Sequence, residues 1–397
     1  MNREDFPMLN SNIIYFDNGA TTLKPKRVVD KINEYYSNHT SNIHRGEYDA
    51  AIKTNTLYDE VREIVAQFVH CDAGEVIYTS GTTMSINMVV FGYMKKHLKA
   101  GDEVLLNKAE HASNILPWIR LKEEIGIVLK YVPLDSDYHL SLDSIKNCVT
   151  EKTKVISLAH VTNVLGDVRD VESIGKYCRE KHILFHVDGA QSVPHMKVDF
   201  QESCMDFLSF SGHKMCGPTG VGVLIGRKEL LEEMNPIFYG GGMNSFFEED
   251  SSYELKSIPT RFEAGTPPIA EVIGLGEAIS YLMEIGMDKI HEYEVELGKY
   301  FLSKVQDIPN LILYNKNENS GIFAFNLNGV FAQDVAVYLN HYHICVRAGN
   351  HCAKMLKDDI QIKNTVRVSF YFYNTFEDID YLVKVLKNSQ DIFKVVL

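Results

Sequence analysis

The chain has 397 residues, 45% apolar and 23% charged, with 40 basic against 53 acidic side chains for a formal net charge of −13. That length supplies two domains and a large core. The acidic balance argues against a general nucleic-acid binder, while leaving room for a local basic pocket that takes an anion.

Its seven cysteines, scattered from Cys71 to Cys352, are an odd number and form no disulfide framework. They read as reduced thiols of a cytosolic protein. The N-terminal stretch shows neither a secretory leader nor an Arg-rich transit pattern, and no run approaches the ~18 apolar residues of a membrane helix.

In chain order, short β-branched runs alternate with amphipathic stretches. EVIYTSG (75–81) leads into TTMSINMVVFGYMKKHLKAG (82–101), and DEVLLNKAEH (102–111) leads into ILPWIRLKEEIG (115–126). KVISLAHVTN (154–163) precedes VESIGKYCREKH (171–182), and ILFHVDGAQSVP (183–194) precedes DFLSFSGHK (206–214) and VGVLIGR (221–227). Strand, polar loop and helix in repetition predict a mostly parallel sheet wrapped by helices, with ligands gathered beyond the carboxyl ends of the strands. After about Ile273 the texture changes. One helical pattern over 270–305 is followed by the strand-like LILYN, GIFAFNL, ICVRAG and TVRVSF, then a closing helix over 375–393. This predicts a smaller α+β domain, joined without a flexible linker.

Three constellations carry chemistry. In TSGTTMSIN (79–87) a strand turns through Gly81 into two threonines that open a helix, a place where free N–H groups and hydroxyls favour a phosphate; a simple N-cap is the alternative. In ILFHVDGAQSVPH (183–195) a strand ends at Asp188 with Gln191 just beyond. That carboxylate is either an N-cap or an acceptor beneath a heterocycle, keeping a ring nitrogen protonated. In FLSFSGHKMCGPTGVGVLIG (207–226) a strand delivers Ser211, His213 and Lys214 into a Gly/Pro-rich loop. A lysine suits neither strand nor tight turn, but it is apt as a Schiff-base former.

Phosphate cradle, buried acid and loop lysine together are what pyridoxal phosphate requires. Nucleotide fingerprints of the G-x-G-x-x-G or G-x-x-x-x-G-K-[ST] kind are missing from the sequence. A metal centre is disfavoured as well: there is no C-x-x-C, and the histidines of HILFH lie in strand-like sequence, where they stand too far apart. Near the C-terminus, VRAGNHCAKM (346–355) places Cys352 in a polar loop, as a nucleophile, a metal ligand or an incidental thiol. Cys345, in strand-like sequence, reads as a small buried residue.

At these residues the chain resembles the group II cysteine desulfurases and their selenocysteine lyase relatives, within the class V aminotransferases of fold-type I. The likeness runs nearly the whole length in order: YFDNGATTLKP, NIHRGEY, SGTTMSIN, EHASNILPW, TNVLG, VDGAQSVPH, SGHKMCGPTGVGVL, RFEAGTP and RAGNHCA. It implies an α/β fold with a seven-stranded, mostly parallel sheet in a large domain over 16–275. A small α+β domain over 1–15 and 276–397 would carry the nucleophilic cysteine.

It further implies that Lys214 binds the cofactor covalently and removes the substrate Cα proton, with Asp188 at the pyridine nitrogen. Gln191 and Asn163 would lie near the ring hydroxyl or substrate, and His111 would stack on the ring. Thr82, Thr83, Ser211 and His213 would hold the phosphate, joined by Thr266 from the second subunit of a homodimer. Arg367 would clamp the substrate carboxylate, with Arg347 and His44 close by. Cys352 would take the sulfur of L-cysteine as a persulfide, release alanine and pass the sulfur to an acceptor protein for iron–sulfur or thio-cofactor assembly.

The chain departs from the family strings at Gly19, where Ala is usual, at Ser80 and Ala348, and at Asn350, where the first His of an H-H-C pair is usual. Rival implications are a selenocysteine lyase, another C–S lyase or a transaminase on the same cofactor, and a non-catalytic paralogue.

Overall fold

The computed structural model describes residues 3–316, 318–389 and 392. The expected domain ends at residues 1–2 and 393–397 lie outside the described residues, as do Asn317, Gln390 and Asp391.

A seven-stranded sheet forms the larger half: β1 (Val76–Thr79), β2 (Glu103–Asn107), β3 (Val128–Val132), β4 (Thr153–Ala159), β5 (Leu184–Asp188), β6 (Phe207–Ser211) and β7 (Gly222–Gly226). Their order is β1-β7-β6-β5-β4-β2-β3. Only β7 runs against its neighbours, pairing antiparallel with both β1 and β6, while the remaining pairs are parallel. The carboxyl ends of the other six strands therefore collect along one edge.

Neighbouring residues on each strand bury into opposite faces. Leu208 and Val223 join a core with Tyr58, Val61 and Leu275, whereas Phe207 and Leu224 join a second with Val89 and Trp118. Period-2 alternation with both faces apolar is what a helix-covered sheet demands.

The smaller half is an antiparallel sheet in the order Leu311–Leu313, Ile322–Leu327, Thr365–Ser369, Arg347–Gly349. Its core sets Phe323, Phe325, Val366 and Val368 against Leu297 and Phe301 of one helix and Leu382 and Leu386 of another. Three sequence expectations change. The helical run over 270–305 is two helices, Ile269–Ile285 and Met287–Val305, because Gly286 takes φ +94° and ends the first. ICVRAG is two strands: Ile344–Cys345 pairs in parallel with Ile14–Tyr15, and Arg347–Gly349 turns away to pair with Thr365–Ser369. Finally, the closing helix spans Phe376–Lys387, opened by a Thr375/Asp378 capping box.

All seven cysteines are free. His186 of HILFH is a core residue, its ring between Ser157 Oγ (2.7 Å) and Ser209 Oγ (3.0 Å). No helix of the described residues is long and apolar enough to cross a membrane.

One buried ion pair locks the strand ends that face the loops. Arg169 and Glu110 pair with both side chains fully inaccessible. Arg169 also donates to Ala159 O and Asn107 Oδ1, each at 3.1 Å, and Glu110 Oε2 accepts from Ala159 N (2.7 Å) and Asn114 Nδ2 (2.8 Å). Arg169→Met leaves the Glu110 carboxylate buried without its cation. It is expected to cost about 3–5 kcal/mol, read as a lower urea midpoint at unchanged slope.

Candidate active site

The carboxyl ends of β1, β2, β4, β5 and β6 open into a cavity of about 210 Å³. Thr82, Thr83, His111, Asn163, Asp188, Gln191, Ser211, His213, Lys214, Arg347 and Arg367, all singled out in the sequence, line it. After β1 the chain passes through Gly81 at φ +147°, where a Cβ would sit 3.3 Å from Ser211 Oγ. That glycine lets Thr82 close on the neighbouring strand end. Thr82 N donates to Ser211 Oγ at 2.8 Å, and the two hydroxyls lie 2.7 Å apart. Thr83 Oγ1 lies 2.7 Å from Ser113 Oγ. Hydroxyls and a helix start thus cluster at one end of the cavity, an arrangement that favours an oxyanion.

Asp188 ends β5 and is buried. Its Oδ1 accepts from Ala190 N at 3.0 Å. Burial pushes its carboxyl up to about 6, against the pull of that N–H and of Lys214. Lys214 follows β6 in a single turn, and burial brings its ammonium down to about 8, opposed by Asp188 and assisted by Arg367 and Arg347. The turn is clamped from behind. Lys24 Nζ donates to His213 O at 2.7 Å, and Thr21 Oγ1 and Thr22 N donate to the same oxygen.

His111 is lowered to about 4 by burial and by Lys214, Arg347 and Arg367. Ser113 N donates to its Nδ1 at 3.1 Å, so the neutral ring carries its proton on Nε2. Asn163 and Gln191 are each held by the amide nitrogen, Nδ2 to His351 O and Nε2 to Gly19 O, both at 2.7 Å. Their oxygens are left buried and unpartnered beside the cavity.

Arg367 closes the opposite end. Fully buried, it donates from NH2 to Asp17 Oδ1 (3.0 Å) and from NH1 to Asn163 O (2.9 Å), while Nε has no partner among the described residues. Gly19 lies flat against it, where a Cβ would come within 3.0 Å of Cζ. The departure from the family's alanine at this position gives the guanidinium room.

Cys352 sits beside the cavity rather than in its wall, on an exposed loop. His351 and Cys352 take φ +51° and +57°. Two hydrogen bonds hold this left-handed pair: Asn163 Nδ2 to His351 O, and Ala112 N to Cys352 O at 2.8 Å. Asn350 is exposed and contributes its carbonyl to Ala353 N.

His44 and Thr266 lie apart from this cavity, around a second cleft that also holds Arg62, Glu263 and Lys256. Cys345, expected as a small buried residue, packs partly buried against the larger core. Asp17, Lys24 and Ser113 were not singled out. Asp17 and Lys24 stand within YFDNGATTLKP, whose acid and lysine in a short polar stretch were the available signal.

The donor set fits pyridoxal phosphate. A near-neutral amine and a buried acid face one cavity, a neutral imidazole stands over it, hydroxyls gather at one end, and orphaned amide oxygens await ligand donors.

The family model for aminotransferase class-V matches residues 14–382. A probable cysteine desulfurase of Halalkalibacterium halodurans is 41% identical over 395 residues, covering 98% of this chain and 97% of its own length. Among solved structures, an apo cysteine desulfurase from Thermococcus onnurineus matches with a TM-score of 0.94 at 36% identity, over 97% of this chain and 96% of that one. A cysteine desulfurase from Escherichia coli in an S-sulfonic acid form gives 0.93 at 33% identity, over 98% of each chain.

In cofactor-free protein, labelling of Lys214 by a small amine reagent should be half-maximal near pH 8. Ordinary lysines titrate near about 10.4. Peptide mapping across a pH series separates the two, and an ordinary profile at Lys214 would contradict its burial.

Proposed function

The chain belongs to the aminotransferase class-V family, and on that premise we propose that it is a pyridoxal-phosphate-dependent cysteine desulfurase, turning L-cysteine into L-alanine with Cys352 carrying the sulfur. The observation that carries this reading is the exposed Cys352, pinned by its own carbonyl to the residue after His111, at the mouth of a cavity holding both Lys214 and Arg367. A transaminase needs the lysine and the arginine but has no use for that thiol.

Lys214 would hold the cofactor through its amine and Asp188 would face the ring nitrogen. Thr82, Thr83, Ser211 and His213 would take the phosphate, His111 the ring face, and Asn163 and Gln191 its edge. When bound, the group supplies an electron sink that weakens bonds at Cα and Cβ of an attached amino acid.

The chain's own residues do the rest. Arg367, already anchored by Asp17 and Asn163 O, presents its remaining face to the substrate carboxylate. Lys214, brought near neutrality by burial, moves the Cα proton. His111, uncharged and with its proton on Nε2, offers a donor without adding a cation. The Cys352 thiolate forms an S–S bond to the substrate sulfur as the Cβ–S bond breaks. L-cysteine and a thiol become L-alanine and a persulfide, with atoms and charge balanced.

The exposure of Cys352 suits onward transfer to an acceptor protein for iron–sulfur or thio-cofactor assembly. His44 and Thr266, remote from the cavity of their own chain, would complete the site of a second copy in a homodimer. The division into a cofactor-binding domain over 16–275 and a smaller one carrying Cys352 goes with this reading.

Holoenzyme incubated with L-cysteine should gain one sulfur atom on Cys352, seen by intact mass and peptide mapping, with alanine formed alongside. Cys352→Ala should abolish both sulfide and persulfide; continued turnover in that variant would favour a transaminase or a lyase that does not use the thiol. Arg367→Lys, which loses the planar fork, should raise KM for L-cysteine by roughly tenfold to a hundredfold with a smaller change in kcat.

A further inference from the structure

Five residues beyond Cys352, Lys357 is 2% exposed, an uncommon place for an amine. Its Nζ lies 2.7 Å from Thr365 Oγ1, and no carboxylate among the described residues pairs with it. Thr365 Oγ1 lies in turn 3.0 Å from Nε2 of His351, the neighbour of Cys352. The carbonyl oxygen of Thr365 is also 3.0 Å from Nε2. A carbonyl only accepts, so Nε2 carries the imidazole proton and Nδ1 is left with a lone pair. That Nδ1 is buried and has no partner among the described residues, on a ring that lines the cavity.

His351 alone is a poor base: burial, then Arg367 and Lys357, hold it far below the ordinary imidazole range. Its two nitrogens can nevertheless pass a proton, one accepting as the other gives. We propose that the Cys352 proton is drawn inward along His351 and the Thr365 hydroxyl to Lys357, the terminal acceptor that leaves Cys352 as a thiolate. When Cys352 turns its thiol from the loop surface into the cavity to meet the substrate sulfur, the S–H bond breaks and Nδ1, unpartnered among the described residues while the thiol faces outward, gains the proton. Nε2 gives its own to Thr365 Oγ1, whose hydroxyl proton passes to the neutral Lys357 amine. Thiol plus amine become thiolate plus ammonium, with no net change in charge. The proton returns by the same route when the persulfide is discharged and the thiol re-forms.

The surroundings suit an acceptor poised near neutrality. Burial, then the Arg367 guanidinium, bring Lys357 down to about 7. Arg347 stands beyond Arg367 on the adjoining strand, and Asp17 is spent on Arg367. On its own helix, Lys354 and Asp358 pair with each other in solvent. A substrate carboxylate arriving at Arg367 would relieve the main charge repulsion on Lys357 and strengthen its hold on the proton.

This rests on the desulfurase reading, and the test keeps the two apart. Rapid-quench persulfide formation on Cys352 is followed by mass across pH 6–9.5 in wild-type holoenzyme, Lys357→Met and Thr365→Val. Iodoacetamide alkylation of Cys352 at high pH serves as a measure of loop presentation. The wild-type rate should rise as pH passes about 7, where Lys357 becomes neutral. Both variants should be slowed about tenfold or more at neutral pH and regain rate only at the alkaline end of the series, with high-pH alkylation unchanged.

Unaltered profiles in both variants overturn the relay. So does slowing in Lys357→Met alone, which would mark a charge effect without proton passage. Parallel loss of high-pH alkylation likewise overturns it, as a purely structural role. Wild-type holoenzyme that forms no persulfide at all would instead sink the desulfurase reading, and the relay with it.

Discussion

A fully buried guanidinium must find partners or destabilise the fold, and Arg367 finds them in two distant parts of the chain, joining both to its own. Asp17 comes from the N-terminal segment and Asn163 O from the loop after β4, while the arginine itself belongs to the smaller sheet. The same strand ends at Ser369, whose N–H and hydroxyl both donate to Phe16 O, while its Oγ accepts from Gly19 N. The N-terminal segment is thus sewn to the small sheet at the point where it passes over the large one. A substrate-sized cavity exists only when all three parts are in place, so assembly of the site is tied to complete folding.

Charge in the cavity is graded. Asp188, driven toward protonation by burial, shares it with Lys214, Arg347 and Arg367, and burial drives Lys214 toward neutrality. Burial shifts both groups toward the neutral form, and a suitable partner would hold each in its charged form. A ligand that is cationic at one ring atom and anionic at a phosphate and a carboxylate satisfies every one of these groups at once. Burial, aided by the same excess of cations, keeps His111 and His351 neutral, so both imidazoles act through hydrogen bonds rather than charge.

Much of this was legible in the sequence because strands with both faces apolar announce themselves, and the polar residues that follow them stand out. Asp188, Lys214 and Thr82 were readable for that reason. What escaped depends on contacts made far away in sequence. Asp17 matters only because Arg367 lies 350 residues on. Lys357 looks like one more lysine on an amphipathic turn, and only tertiary packing buries it. Periodicity was equally blind to the break at Gly286, since apolar spacing continues across it. No local pattern marks His44 and Thr266 as distant from the cavity of their own chain.

The loop around Cys352 reconciles two demands on one thiol. In the proposed reaction it reaches a sulfur in a cavity lined by Arg367 and His351, and then delivers that sulfur outside. Consecutive left-handed residues at His351 and Cys352 cost about 1–2 kcal/mol each relative to ordinary backbone. The bonds from Asn163 and Ala112 offset that cost by holding carbonyls, not side chains. The thiol consequently stays free on a backbone that is fixed. Asn350, the departure closest to it, turns outward and takes part through its carbonyl alone. A change there alters the outer face of the loop while leaving its His351–Thr365–Lys357 side as it is.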